Sequence, residues 1–210
     1  MINEAQLKKQ LLQGCGALEL DLTELQINQL LTYVRLLDKW NKVYNLTSVR
    51  DPQQMISRHI LDSLAVLPYL SEPTLLDIGT GAGLPGIPVA IANPNMAVTL
   101  LDSNSKKTRF LQQVKSELRL TNITVVHARV EQAELPKFAT VTARAFSTID
   151  VIIDLAGRHC DDAGSLVLMK GVYPEQELAE NIDGFSLKDV VSLDVPNCPS
   201  KRHLVRLIKN

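Results

Sequence analysis

Cysteine is scarce: Cys15, Cys160 and Cys198 are the only three in a chain of 210 residues. They are far apart and odd in number, form no C-x-x-C pair and set out no disulfide framework. Each reads as a small buried or surface residue, not as a nucleophile or metal ligand, and a reducing cytoplasm is the expected setting. Long apolar runs are missing as well. None approaches the roughly 20 residues that cross a bilayer, so no membrane association is expected. Met1 to Gln10 is polar and mixed in charge, unlike a signal peptide. An excess of either charge is also absent. The formal net charge is −1, so RNA or DNA would have to be met through a local basic patch, not by bulk attraction. There is no G-x-S-x-G elbow of a hydrolase, no metal cluster, no internal repeat and no low-complexity tract.

What is present fits a globular chain, with 45% hydrophobic and 21% charged residues. Residues 1–70 read as helical. A first helix is expected over 2–12, ending near Gly14 and Gly16. Thr23 followed three residues later by Gln26 is a capping-box pattern that opens a second, with Ile27, Leu30, Val34 and Leu37 at helical spacing. Trp40 extends that apolar side as a core residue. Asp51 and Pro52 are the N-cap and first residue of a third helix running to about residue 67. From Thr74 the rhythm becomes strand–helix alternation. Strands are expected at 75–78, 97–101, 123–126, 139–143 and 165–169, and helices at 85–92, 105–118, 148–159 and 174–181. Such alternation implies a parallel sheet covered on both faces. Residues 186–195 and 203–208 alternate like an antiparallel hairpin. The expected division is a helical extension, 1–72, and a ligand-binding domain, 73–210, hinged at Ser71-Glu72-Pro73.

The stretch from Thr74 to Gly86 reads T-L-L-D-I-G-T-G-A-G-L-P-G. An apolar strand runs straight into glycines 79, 81, 83 and 86. Glycines here allow a tight turn, the approach of a ligand to the main chain and close helix–strand packing, and the helix N-terminus beyond offers unpaired N–H groups. The literal G-x-G-x-x-G at 81–86 is a weak sign of a dinucleotide. Asp77, directly before the turn, would repel a pyrophosphate and suit a cationic ligand, and the following helix is cut short by Pro94. Asp102 lies about 20 residues past the glycines, where an acidic residue takes a ribose diol. NAD and S-adenosylmethionine both carry such a ribose, so Asp102 alone does not choose between them. Glu131 follows the third strand at a natural place for an adenine. Arg144 ends the fourth strand, facing the same crevice, and Lys170 ends the fifth as a candidate for pocket or RNA contact. His59, Asp62 and Ser63 share one helical face. They are too few for a metal site, and a local network with an Arg58–Asp62 pair is expected. Lys106, Lys107 and Arg109, with Arg50, Arg58, Lys201, Arg202 and Arg206, are candidates for a basic patch.

Six stretches carry a more specific signal: W-N-K-V-Y-N-L-T (40–47), R-H-I-L-D-S-L (58–64), D-I-G-T-G-A-G-L-P-G-I-P (77–88), A-R-V-E (128–131), A-R-A (143–145) and M-K-G (169–171). Together they resemble the bacterial ribosomal RNA small subunit methyltransferase G family, also called glucose-inhibited division protein B, over nearly the whole chain. The resemblance implies a Rossmann-like, seven-stranded class I methyltransferase sheet with a terminal antiparallel hairpin and an N-terminal helical extension. It implies transfer of methyl from S-adenosylmethionine to guanine N7 in 16S rRNA near the decoding site. It implies that Gly79 and Leu84 line the cofactor, that Val130 and Glu131 meet its adenosine portion, and that Arg144 borders it. Gly81 belongs to the same cradle, and the ribose role of Asp102 follows from its spacing. Guanine N7 has a free lone pair and loses no proton, so the reaction needs positioning more than a base. No catalytic residue is assigned; Arg144 and Lys170 are the positioning candidates. The expected partner is 16S rRNA within a small ribosomal subunit or an assembly particle, met by a monomer. The rivals are a methyltransferase for another RNA, a protein or a small molecule, an NAD(P)-binding oxidoreductase, and a cofactor-sensing RNA-binding protein.

Overall fold

The computed structural model describes residues 3–70, 73–178 and 182–210. Ile2, Ser71 and Glu72 of the expected first helix and hinge, and 179–181 of the last expected helix, lie outside the described residues. Two long helices open the chain, α1 (Glu4–Ala17) and α2 (Glu24–Tyr44). α1 continues through Gly14 and Gly16 instead of stopping there. Gly14 is used for close approach, since a Cβ at that position would overlap the Leu61 side chain. α2 starts with the expected capping box: Thr23 N donates to Gln26 Oε1 at 2.8 Å and Gln26 N to Thr23 Oγ1 at 3.3 Å. Its face of Ile27, Leu30, Tyr33, Val34 and Leu37 is buried. The third helical segment is broken in kind, not in direction. α3 (Pro52–Met55) passes into a π-helical turn, Ile56–Leu61, and then α4 (Asp62–Leu64). The wider turn shifts the helical face by one residue, and such turns recur at functional sites.

The sheet has seven strands: β1 (Thr74–Ile78), β2 (Ala97–Asp102), β3 (Ile123–His127), β4 (Phe138–Arg144), β5 (Cys160–Lys170), β6 (Phe185–Ser192) and β7 (His203–Lys209). Their order is β3-β2-β1-β4-β5-β7-β6, with β3 to β5 parallel and the β7 and β6 pairings antiparallel. β5 begins five residues earlier than expected, because Cys160 already pairs with Phe138 before an irregularity at 138/140. Between the strands lie α5 (Gly86–Ala92), α6 (Ser105–Glu117), α7 (Ile149–Ala156) and the short α8 (Glu175–Leu178).

Alternation along β1 sorts the core into two layers. Leu75 joins the side covered by α1, α2, α5 and α6, where Leu30, Leu37, Ile87, Phe110 and Leu111 are buried. Leu76 and Ile78 join the other side, under Ile149, Ile152 and Phe185. The helical extension is therefore part of one core layer. Trp40 packs there on Phe110, with ring centroids 5.6 Å apart. Gln26 of α2 also caps α5, donating through Nε2 to the carbonyls of Ile91 and Ala92. Among the described residues no helix is long and apolar enough to cross a membrane.

Candidate active site

The strand order reverses between β1 and β4, and in open α/β sheets that reversal opens a crevice at the strands' C-terminal ends. A cleft of about 390 Å³ lies there. Gly79, Asp102, Val130 and Glu131 are on its wall, with Leu101, Ser103, Lys107, Ala128, Arg129, Ala145 and Phe146. Gly79, Gly81 and Gly83 all have positive φ, +59°, +61° and +93°. The chain leaves β1 through angles that side chains resist, and Gly79 brings bare backbone to the cleft wall.

Two carboxylates hold this turn from opposite sides. Asp102 Oδ2 accepts from Gly81 N at 2.9 Å, its Oδ1 accepts from Asn104 N at 2.8 Å, and Lys107 Nζ is 3.5 Å away. Asp102 therefore ties the glycine turn to the start of α6 while lining the cleft. Asp77 works inward. It is fully buried, and Oδ2 accepts from Thr80 Oγ1 at 2.6 Å and from Gly86 N at 2.8 Å. Burial raises its carboxyl to about 7, against the two hydrogen bonds that favour the anion. Asp77 is not on the cleft wall, so the expectation that its charge meets a cationic ligand is corrected: it fastens the loop to the N-terminus of α5. Tyr33 of the extension adds a third fastening, donating to the Ala82 carbonyl at 2.7 Å.

Four sequence candidates lie off the wall, and one of them, Gly81, stays next to it through its bond to Asp102. Leu84 is buried in the core layer beneath the glycine turn and supports the turn from behind. Arg144 turns away toward the extension, where Nη2 donates to the Arg58 carbonyl at 2.8 Å and stands 3.0 Å from Asp62 Oδ2. Lys170 Nζ donates to the Ser147 carbonyl at 2.8 Å and to Glu177 Oε2 at 2.7 Å. The expected Arg58–Asp62 pair is replaced. Asp62, with no exposed surface, lies between Arg144 and Arg202, whose Nε donates to Oδ1 at 2.8 Å, and the Arg58 guanidinium reaches Gln54 instead. His59 sits in the same network, its Nε2 2.8 Å from Thr47 Oγ1 and its Nδ1 2.9 Å from the Arg58 carbonyl. Burial and the neighbouring Arg144 guanidinium push its pKa down to about 4, so the ring is neutral at pH 7. The basic patch is thinned in the same way. Arg202 is held by Asp62, and Arg206 by Asp189 while its guanidinium lies 4.9 Å over the Tyr69 ring.

The cleft also contains Ser103, after Asp102, and Phe146, after Arg144, which the motifs did not single out, and Lys107, which the sequence offered only for a basic patch. An aromatic residue two positions past the end of a parallel strand was the available signal for Phe146. Among the described residues no group of His, Cys, Asp and Glu is arranged to hold a metal ion.

The chain matches the family model described as rRNA small subunit methyltransferase G over residues 26–205. It is 47% identical over 206 residues to the Ribosomal RNA small subunit methyltransferase G of Nitrosospira multiformis, covering 94% of this chain and 95% of that one. It is 50% identical over 205 residues to the protein of the same name from Stutzerimonas stutzeri, covering 95% and 94%. Among solved structures, a SAM dependent methyltransferase from Aquifex aeolicus superposes with a TM-score of 0.61 at 18% identity, over 79% of this chain and 97% of that one. That likeness is one of fold: the class I methyltransferase sheet with its antiparallel last pair.

Proposed function

The chain belongs to the rRNA small subunit methyltransferase G family, and from that premise we propose that it methylates guanine N7 in 16S rRNA near the decoding site, using S-adenosylmethionine. The observation that carries this reading is the family match from 26 to 205, which contains the whole cleft wall. The residues present suit the cofactor. The positive-φ glycines carry no side chain of their own into the turn, the space beside Gly81 is open, and the acidic group of Asp102 stands where β2 ends. Bound S-adenosylmethionine would supply a sulfonium methyl to the guanine N7 lone pair, with the S–C electron pair staying on sulfur, no proton released and the positive charge passing to the purine.

The chain's own residues then position and enclose. Gly79 and Gly81 leave room along the main chain, Asp102 takes the ribose diol, and Val130 with Glu131 bounds the adenosine end. Leu84 backs the loop from the core. Arg144 and Lys170 act at one remove, by fixing the segment between β4 and α7. The near-neutral net charge favours a protein-containing particle over naked RNA, because little affinity would come from counterion release. The small subunit or an assembly intermediate in the cytoplasm is the substrate, approached by a monomer. Residues 1–72 serve as a helical extension and 73–210 as the cofactor-binding domain. Nucleoside mass spectrometry of rRNA from cells with and without the gene tests the reading. Loss of one 7-methylguanosine from 16S rRNA is expected, and unchanged 7-methylguanosine would overturn it.

A further inference from the structure

The segment from Arg144 to Ile149 joins β4 to α7 and is pinned at both ends. At one end Arg144 is bonded to the Arg58 carbonyl and paired with Asp62. At the other, Lys170 Nζ holds the Ser147 carbonyl, and Glu177 Oε2 accepts from both Lys170 Nζ and Ile149 N, the latter at 2.9 Å. Between the pins Ala145 has φ +50°, a left-handed conformation that costs energy for any residue with a Cβ. The turn at Ala145 sends Arg144 toward the extension and Phe146 toward the cleft. The Phe146 ring settles against Gly79, where a Cβ would overlap it. Yet the residue is 38% exposed. An apolar ring is thus held by a strained, doubly anchored loop at the mouth of the cleft, and it is the one aromatic ring on the described wall.

We propose that Phe146 is the stacking platform for the acceptor guanine. The inference rests on the guanine-N7 reading above. Every base offers a π face to an aromatic side chain, and a guanine lying on the ring keeps its N7 edge free. The chemistry adds a reason for an aromatic group at this point. The purine gains positive charge as N7 is methylated, and a ring face attracts a cation, so the contact tightens on the way to the transition state. A free guanidinium at the same place would do the reverse, and the Arg144 guanidinium is turned inward toward Asp62. Lys170 and Glu177 are positioning residues in this arrangement, because they hold the loop and not the base.

The test uses full-length protein and small ribosomal subunits from cells lacking the gene. Phe146→Ala, Phe146→Leu, Phe146→Tyr and Phe146→Trp are compared by methyl transfer, by calorimetric binding of S-adenosylmethionine and by retention of subunits on a filter. Phe146→Ala and Phe146→Leu should lower kcat by at least about tenfold, as loss of one stacked base predicts. Subunit retention and cofactor Kd should stay within about threefold of wild type, a change of under one power of ten in affinity. Phe146→Tyr and Phe146→Trp should restore most of kcat. Full activity in Phe146→Leu would overturn the proposal, since apolar bulk would then suffice. So would a loss of cofactor binding that accounts for the lost turnover. Wild-type protein that leaves rRNA unmethylated would overturn the functional reading itself, a result distinct from a wild-type enzyme indifferent to residue 146.

Discussion

Arg144 Nη2 stands 3.0 Å from Asp62 Oδ2, so the arginine that ends the fourth strand is committed to the helical extension and not to the cleft. Asp62 also receives Arg202 from the residue just before β7, which makes one buried carboxylate the meeting point of three distant segments. Removing it leaves two guanidiniums, each less than one fifth exposed, without a counter-charge. Asp62→Asn should lower unfolding free energy by about 3 kcal/mol or more in urea titration. Arg144→Met should cost less, because Arg202 still neutralises Asp62. Equal midpoints for wild type and Asp62→Asn would show that the network contributes no stability.

Tyr33 is a fully buried tyrosine whose hydroxyl serves the glycine turn through the Ala82 carbonyl. Tyr33→Phe keeps the ring and deletes the bond, leaving that carbonyl without this donor. A stability loss of about 1–2 kcal/mol is expected in thermal unfolding. Cofactor affinity measured by calorimetry should weaken in the same variant, since the turn that lines the cleft loses a brace. Unaltered affinity would mean that the turn is held without the extension.

Asp102 accepts two main-chain amides, Gly81 N and Asn104 N, one on each oxygen. An asparagine there can accept one of them and must present its NH₂ to the other. Asp102→Asn should therefore raise the S-adenosylmethionine Kd by at least about tenfold, or about 1.4 kcal/mol. The far-ultraviolet dichroism should be unchanged, because the groups that fill the core are untouched. Wild-type affinity would remove Asp102 from the cofactor site.

Much of this architecture is legible locally. The capping box at Thr23, the apolar run at 75–78 entering the glycines, and Asp102 at the end of β2 depend on neighbours in sequence, and each stands where its pattern predicts. What was not legible depended on distance or direction. Asp77 has the right position for a ligand contact, but its χ angles aim it at Gly86, and no spacing rule carries that information. Arg144 and Lys170 also end strands at the crevice, yet their long side chains find Asp62 and Glu177, partners known only once the chain has folded. Helix α1 passes through two glycines because Gly14 must let Leu61 come close, a tertiary demand that outweighs helix propensity. The π-helical turn at Ile56–Leu61 leaves no mark in the apolar periodicity.

His59 and Asp77 are both buried, both neutral-leaning, and opposite in their effect on pH dependence. His59 has its pKa lowered to about 4 from 6.5, so between those values the unfolded chain binds a proton that the folded chain refuses. Its contribution is present at neutral pH and is lost as pH falls through that window. Asp77 has its pKa raised to about 7 from 3.8, so there the folded chain holds the extra proton. Its contribution is present in acid and is lost as pH rises through its own window. At about 1.4 kcal/mol per pKa unit, His59 should move stability by roughly 3 kcal/mol and Asp77 by roughly 4 kcal/mol across their ranges. Urea unfolding of wild type, His59→Gln and Asp77→Asn at several values between about pH 4.5 and pH 8 separates the two. Relative to wild type, His59→Gln should gain stability as the solution is acidified, and Asp77→Asn should gain it as the solution is made alkaline. Differences of the same slope for both variants would contradict the burial of one of these groups, and flat differences would contradict both.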